Sequence, residues 1–512
     1  MLLLPILQYF DQRDSAMRLL WLLLFPTLLA AQTRARIQAV ESITPQDVKR
    51  RVAIIADDSM LGRANPSKGL ELTAEYVASE FRRAGLRPAG DNNGYLQRLG
   101  LTRWTLDTAS SVVELTVGNK ARVTKVGTEA RYVDGRIPEE ALTGPVVLLA
   151  GTAPPADDVT GRIVLLPIDY SKPLAPSLGQ EIYDLARAGP KAVLLLSNRD
   201  SATFADRLRT ASLPRLTRDP AKIEPAAPII ELHERTLGPL LAAARVDPDG
   251  LRRRAAPERR ILNGLTVELR LVHRILNRGT VPNVIGVLEG SDPALRHEYV
   301  AYSAHIDHIG VSPGQPDSIN NGADDNASGA AGLLELVEAF SRPGVRPRRS
   351  ILFLAPSAEE PGLLGSAHFT EYPTVPLENI IAVINMDLIG RNWPDSVIAV
   401  GPEQSDLGET LRHVVKAHPE LRMTPIPDRW PEERIFYRSD HYNFARKGVP
   451  VLFFTSGTHP DYHQPSDVPE RINAEKESRL VRLLFHLGAA IADQSSRPQW
   501  KAESYQQIVE RK

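Results

Sequence analysis

The sequence predicts an α/β protein: a mainly parallel mixed sheet flanked by helices, with a β-rich α+β segment inserted into it. Three observations carry this. From Val281 onward, apolar runs of strand length alternate with helical ones, the pattern of a doubly covered sheet. Between roughly Ser110 and Arg274, short β-like runs are broken by Gly, Pro and Asp turns. Ahead of that segment, from Ile43 to about Leu101, apolar residues recur at helical spacings of three and four.

In chain order, Leu70 to Gly85 reads as an amphipathic helix with Gly85 as its stop, and Arg87-Pro-Ala-Gly90 begins a loop. In the inserted segment, Pro145–Ala150, Arg162–Pro167, Lys191–Leu196 and Pro228–Glu231 read as strands, with a helix around Ile182 to Ala188. The run Arg252-Arg-Arg254 is too short for a binding patch and reads as a solvated face. Beyond Val281, strands are expected at Asn283–Leu288, Tyr299–Ala304, Ile351–Ala355, Ile380–Asn385, Val397–Val400 and Val449–Phe454, and helices at Ala330–Phe340, Gly408–Ala417 and Lys476–Ala490. The expected organisation is a leader at 1–31, a first part of the main domain at 32–110, the insert at 111–274, the main domain at 275–495 and a tail at 496–512.

Composition narrows the function. The 512 residues are 42% hydrophobic and 24% charged, ordinary for a folded chain and long enough for two to four domains. A net charge of −1 argues against a nucleic-acid partner. With no cysteine, disulfides and thiol nucleophiles are excluded, and any metal must be held by His, Asp and Glu. Leu19 to Leu29 is an apolar run of 11 residues between Met17-Arg18 and Ala30-Ala31. That is the form of a secretory signal peptide, with Met17 as a second candidate start and maturation near Gln32. The run is shorter than the ~20 residues a membrane span needs. The expectation is a secreted or periplasmic protein with no stable span after processing.

The chemistry concentrates behind the expected strands of the main domain. Tyr299–Ala304 ends in His305-Ile-Asp307-His308; Gly322-Ala-Asp324-Asp325-Asn-Ala-Ser-Gly329 precedes a helix; Ile351–Ala355 leads to Glu359-Glu360, Ile380–Ile384 to Asp387, and Val449–Phe454 to Asp461-Tyr462-His463. In an open α/β sheet these ends share one edge. Asp307, Asp325, Glu359, Glu360 and Asp387 gathered in one crevice would repel and raise one another's pKa, so the cluster calls for divalent cations. Two ions sharing a bridging carboxylate suit two His and three acidic ligands, and mixed His and carboxylate donors favour zinc over magnesium or calcium. Read alone, each motif is weak, and Asp324-Asp325 serves equally as a helix cap.

Taken together, these motifs, with Asn385-Met-Asp387 and Ser439-Asp-His441, make Val281 to Ala490 resemble the M28 family of zinc metallopeptidases; Ile43 to Leu101 resembles it more loosely. The insert resembles a protease-associated (PA) domain. The resemblance implies a zinc-peptidase/phosphorylase-like fold, two Zn2+ per chain and an aminopeptidase acting on a peptide or small aminoacyl substrate. It implies His305, Asp325, Glu360, Asp387 and His463 as ligands, with Asp325 bridging because it directly precedes Asn-Ala-Ser-Gly. It also implies Glu359 as general base, Asp307 as the carboxylate orienting His305, Tyr462 as an oxyanion donor and Arg438 as a substrate contact, with a cis peptide after Asp325. Asp324 is left as a helix-start or supporting residue, and His308 as a support or a loop contact. Asp440 and His441 are expected to buttress the site, and His368 and His459 to be ordinary. Tyr437 and Trp430 either line a specificity pocket or pack a loop. Two rivals stand beside hydrolysis: a glutaminyl-cyclase-like aminoacyl transfer on one zinc, and an inactive binding protein. Oligomeric state is left open.

Overall fold

The computed structural model describes residues 33–510 except 151–158, 173, 175–177, 210–212, 220–225, 254–257, 313 and 315–316. The expected leader, Met17 included, lies outside the described residues. Among those described, no helix is long and apolar enough to cross a membrane. The chain divides into two units, one running through Leu99 and resuming at Thr280, the other Gly100–Gly279. These boundaries fall inside strands, Leu96–Leu106 and His273–Leu288.

In the first unit, seven strands are numbered β1 (His273–Leu288, entering at Thr280), β2 (Tyr299–Ser303), β3 (Ser350–Ala355), β4 (Ile380–Met386), β5 (Ser396–Val400), β6 (Thr424–Ile426) and β7 (Val451–Thr455). They lie in the order β6-β5-β7-β4-β2-β3-β1. The central four run parallel, with Tyr299 beside Ser350, Ala301 beside Val383, and Val383 beside Val451. β1 and β5 flank them antiparallel. Every residue of β2, β3, β4 and β7 is buried, as expected for strands covered on both faces.

Helices α1 (Pro45–Ile55), α2 (Lys68–Arg83), α3 (Gly329–Phe340) and α4 (Ala474–Asp493) belong to this unit. α1 is capped by its own sequence: Thr44 Oγ1 accepts from the Asp47 N–H, and Pro45 takes the first position. On one side, Phe340 stacks on Phe485 at 4.3 Å and Tyr302 on Phe353 at 5.8 Å. The Tyr302 hydroxyl donates to Leu484 O, an approach that Gly488 permits because a Cβ there would stand 1.8 Å from the tyrosine hydroxyl oxygen. A second apolar cluster joins Ile285, Leu354, Val383, Phe444, Val451 and Phe453. Buried Arg51 of α1 is neutralised by Glu335 and Glu338 of α3 at 2.6 and 2.8 Å, as a buried charge requires.

Leu96–Leu106 is a strand where the apolar spacing predicts helix as far as Leu101. Its buried residues alternate through Gln97, Leu99 and Leu101. One of these is polar, with Gln97 Nε2 donating to Tyr372 O, so the alternation is invisible to an apolar count. The short strand β6 also lies outside the expected set.

The second unit is an eight-stranded mixed sheet. Leu142–Ala150, Ile163–Ile168, Ala192–Ser197 and Ile229–His233 run parallel at its centre, with antiparallel strands outside. Val146 and Leu148 enter one apolar cluster while Val147 and Leu149 enter another, the two-residue period of a sheet packed on both faces.

Candidate metal centre

Because β3, β2, β4 and β7 are parallel neighbours, their carboxyl ends deliver side chains to one edge. β2 continues into His305, Asp307 and His308. After β3, Ala358 at φ 57° turns the chain into Glu359 and Glu360. β4 runs straight into Asp387, and the loop after β7 carries Tyr462 and His463, the latter at φ 58°. Asp325 sits in the irregular turn Ala323–Ser328 that opens α3, and its peptide to Asn326 is cis.

Two donor sets form, sharing Asp325. One is His305, Asp325 and Asp387; the other is His308, Asp325, Glu360 and His463. His305 Nε2 lies 3.5 Å from Asp325 Oδ1 and 3.3 Å from Asp387 Oδ1. His463 Nε2 is 3.1 Å from both Asp325 Oδ2 and Glu360 Oε2, yet it is aligned for a hydrogen bond with neither. A ring nitrogen aimed between two carboxylates is the arrangement a cation would fill, and mixed imidazole and carboxylate donors suit zinc. All five residues expected as ligands lie within these sets. His308 joins them as a member the motifs do not single out.

Glu359, Tyr462 and Arg438 line an adjoining cavity of about 70 Å³ together with Asp325, Asp387, Trp430, Ile435 and Phe453. Glu359 Oε2 stands 3.9 Å from His305 Nε2. Tyr462 stacks on the His463 ring at 3.9 Å. Arg438, half-exposed, pairs with Glu433 at 3.1 Å. Asp307 stands behind the ligands, its Oδ1 3.6 Å from His305 Nδ1. Its carboxylate accepts the main-chain N–H groups of Glu359 and Glu360 and the side-chain amide of Asn65. Of the two residues placed either in a pocket or in loop packing, Trp430 faces the cavity.

Charge crowding is visible in the protonation preferences. Burial, then the neighbouring Glu360, pushes Asp325 up to about 6. Burial, then Asp387, Glu360 and Asp440, pushes Glu359 well above the carboxylate range against the pull of His305. Burial would raise Glu360 too, but the hydrogen bond from His308 and the close approach of His463 outweigh it and hold this carboxyl low. Burial opposes charge on His463, yet its contacts with Asp325 and Glu360 lift it to about 10. The imidazoles take up protons where carboxylates lack a counter-charge.

Further side chains support the centre, and the first of them has no signal in the sequence. Arg63 is fully buried and donates to five main-chain carbonyls: Ile55, Ile306, Asn321, Gly322 and Asp325. It thereby ties the turn carrying Asp325 to the segment carrying His305. Burial pushes its guanidinium down to about 10, partly offset by Asp325, Asp307, Asp467 and Glu360, so it stays cationic at neutral pH. Asp467 accepts the N–H groups of Asp324 and Asp325. Ser439 donates to Asp387 Oδ2 at 2.8 Å while accepting from Asn385 Nδ2. Asp324 accepts from the Gly390 N–H and meets His459 Nε2 at 3.2 Å, so His459 belongs to the buried polar layer. Asp440 is buried with its carboxyl raised to about 7, first by burial; His441 stacks on Phe453.

Residues 283–487 match the model of peptidase family M28. Aminopeptidase YwaD of Bacillus subtilis is 27% identical over 211 residues, 38% of this chain and 42% of that protein. The glutamate carboxypeptidase 2 homolog of Caenorhabditis briggsae is 30% identical over 227 residues, 39% of this chain and 28% of that protein. The matched stretches thus span less than half the length of these relatives. Among solved structures, an aminopeptidase from Aneurinibacillus sp. strain AM-1 shares the fold at a TM-score of 0.50, with 17% identity over 91% of this chain and 97% of that one.

Proposed function

We propose that the chain, whose residues 283–487 match peptidase family M28, is an exported di-zinc aminopeptidase releasing the first residue of a peptide or a small aminoacyl substrate. The observation that carries the two-metal reading is the sharing of Asp325 between two donor sets. His305, Asp325 and Asp387 would hold one ion; Asp325, Glu360 and His463 would hold the other. Bound zinc supplies Lewis acidity toward the scissile carbonyl and lowers the pKa of a water toward neutrality.

The remaining chemistry is done by side chains. Glu359, mostly buried at the edge of both donor sets, accepts the water's proton on its carboxylate and returns it to the leaving amine. Its surroundings favour the protonated form, which makes its carboxylate a stronger base. The Tyr462 hydroxyl, pushed upward first by burial and then by Asp325 and Glu360, stays protonated and available to the carbonyl oxygen as charge develops there. Arg438 at the cavity wall meets the substrate's main chain. A cavity of about 70 Å³ lined by Trp430, Ile435 and Phe453 suits one side chain, in keeping with removal of single residues. The insert, read as PA-like, supplies no residue to either donor set found among the described residues.

The test is a panel of aminoacyl substrates assayed with and without chelator, followed by zinc add-back, beside a metal count. Activity should vanish with chelation and return with zinc, at two ions per chain; a single ion would favour aminoacyl transfer. Glu359→Gln should keep both ions and lose ~10²–10⁴ in turnover. Near-normal turnover in that variant would remove Glu359 from the proton-transfer role. Export is checked by N-terminal sequencing of the native protein, which should begin near Gln32.

A further inference from the structure

We infer that His308 is a fourth protein ligand of the Glu360 metal, so that the two metal positions are unequal: one closed by four protein donors, the other open at three. This rests on the reading of the centre as a metal pair and assigns each ion its coordination.

The geometry is specific. The His308 side chain is fully buried. Its Nδ1 lies 2.7 Å from Glu360 Oε1 and 3.7 Å from Asp325 Oδ2. His463 Nε2 lies 3.1 Å from an oxygen of each of the same two residues. Donors held tetrahedrally at zinc bond lengths of ~2.0–2.1 Å stand about 3.3 Å apart, and these separations scatter around that value. The His308 and His463 rings meet edge to face, with centroids 5.6 Å apart, so their nitrogens approach the carboxylates from different directions.

The ring is also fixed in place. Gly322, at φ 57°, lies against it, and a Cβ there would be 2.6 Å from both Cγ and Cδ2 of His308. The other nitrogen, Nε2, has no hydrogen-bond partner among the described residues, so the tautomer is decided on the Nδ1 side alone. With the proton on Nδ1 the ring donates to Glu360; with the proton on Nε2, the Nδ1 lone pair faces the space shared by Asp325, Glu360 and His463. Loading the metal therefore requires only a change of tautomer.

The other set has three protein donors, His305, Asp325 and Asp387, and two of them line the cavity beside Glu359. Four protein ligands are the mark of a structural zinc site and three plus an open position the mark of a catalytic one. The Glu360 ion is then the retained one, and the His305 ion the exchangeable, substrate-facing one.

The test is metal content by mass spectrometry after dialysis of the purified full chain against a graded series of chelator concentrations, with circular dichroism to confirm folding. The wild type should fall from two ions to a plateau at one before losing the second. His308→Gln retains a hydrogen bond to Glu360 but is a poor zinc ligand, whereas His308→Asp restores a ligating carboxylate. The Gln variant should lose the plateau, its tighter ion released at chelator strengths at least about a hundredfold lower, and the Asp variant should recover much of it. A plateau in His308→Gln equal to wild type overturns the ligand assignment and leaves His308 a hydrogen-bonding support. Two-step release from wild type with an unaltered Gln variant refutes only this inference, whereas a wild type that binds no metal refutes the metallopeptidase reading itself.

Discussion

Arg63→Lys is the most exacting test of how the centre is held. The guanidinium makes five hydrogen bonds at 2.6–3.3 Å, every one of them to a main-chain carbonyl. Lysine keeps the charge but brings at most three donors. At least two of the five hydrogen bonds are therefore lost. Hydrogen bonds to charged groups contribute about 1.5–3 kcal/mol each, so the predicted loss is about 3–6 kcal/mol. That is a large part of the ~5–15 kcal/mol that usually holds a domain together. The measurement is urea denaturation of zinc-free protein, so that metal binding does not stabilise the native state and mask the effect. Metal retention is measured in parallel, because the same bonds join the Asp325 turn to the His305 segment. Substitutions at neutral surface positions change stability by no more than about 0.5 kcal/mol. An unfolding free energy that close to wild type would refute the claim that this clamp organises the edge.

Three further outcomes are expected. Asp325→Ala should release both metals together, since both donor sets include it; retention of one full equivalent on dialysis would contradict the sharing. Ser439→Ala leaves the buried Asn385 amide and Asp387 without the hydroxyl that joins them. It should cost about 1–2 kcal/mol of stability in denaturation and weaken the His305 ion ~10-fold or more, read as earlier release to chelator. His486 is lowered to about 4, first by burial and then by the charge of stacked His418. Its unfolded form therefore binds a proton between about pH 6.5 and 4 that the folded form refuses, so its contribution is complete above about 6.5 and lost as pH falls toward 4. His486→Gln should flatten that acid slope by about 1–2 kcal/mol, allowing for partial exposure; an unchanged slope in zinc-free protein would exclude His486 as its source.

Most of the sheet is legible because buried parallel strands are continuous apolar runs. Tyr299–Ser303, Ser350–Ala355 and Ile380–Met386 stand out in composition alone. Leu96–Leu106 does not, because Gln97 occupies its buried face and finds its partner only at Tyr372. The helical reading of that stretch fails for the same reason that Arg63 and Asn65 go unseen. A polar residue buried by long-range contacts looks, in one dimension, like any surface residue.

The sequence by itself determined the chemical inventory: which carboxylates and imidazoles follow which strands, and that no thiol competes for metal. Periodicity and strand-end position are local properties, written in neighbouring residues. Only the tertiary structure decided that Asp325 is shared, that His308 turns toward Glu360, and that Arg63 binds carbonyls up to 262 positions away. Those facts depend on which loop ends meet at the sheet edge and at what angle, and chain separation carries no information about angle.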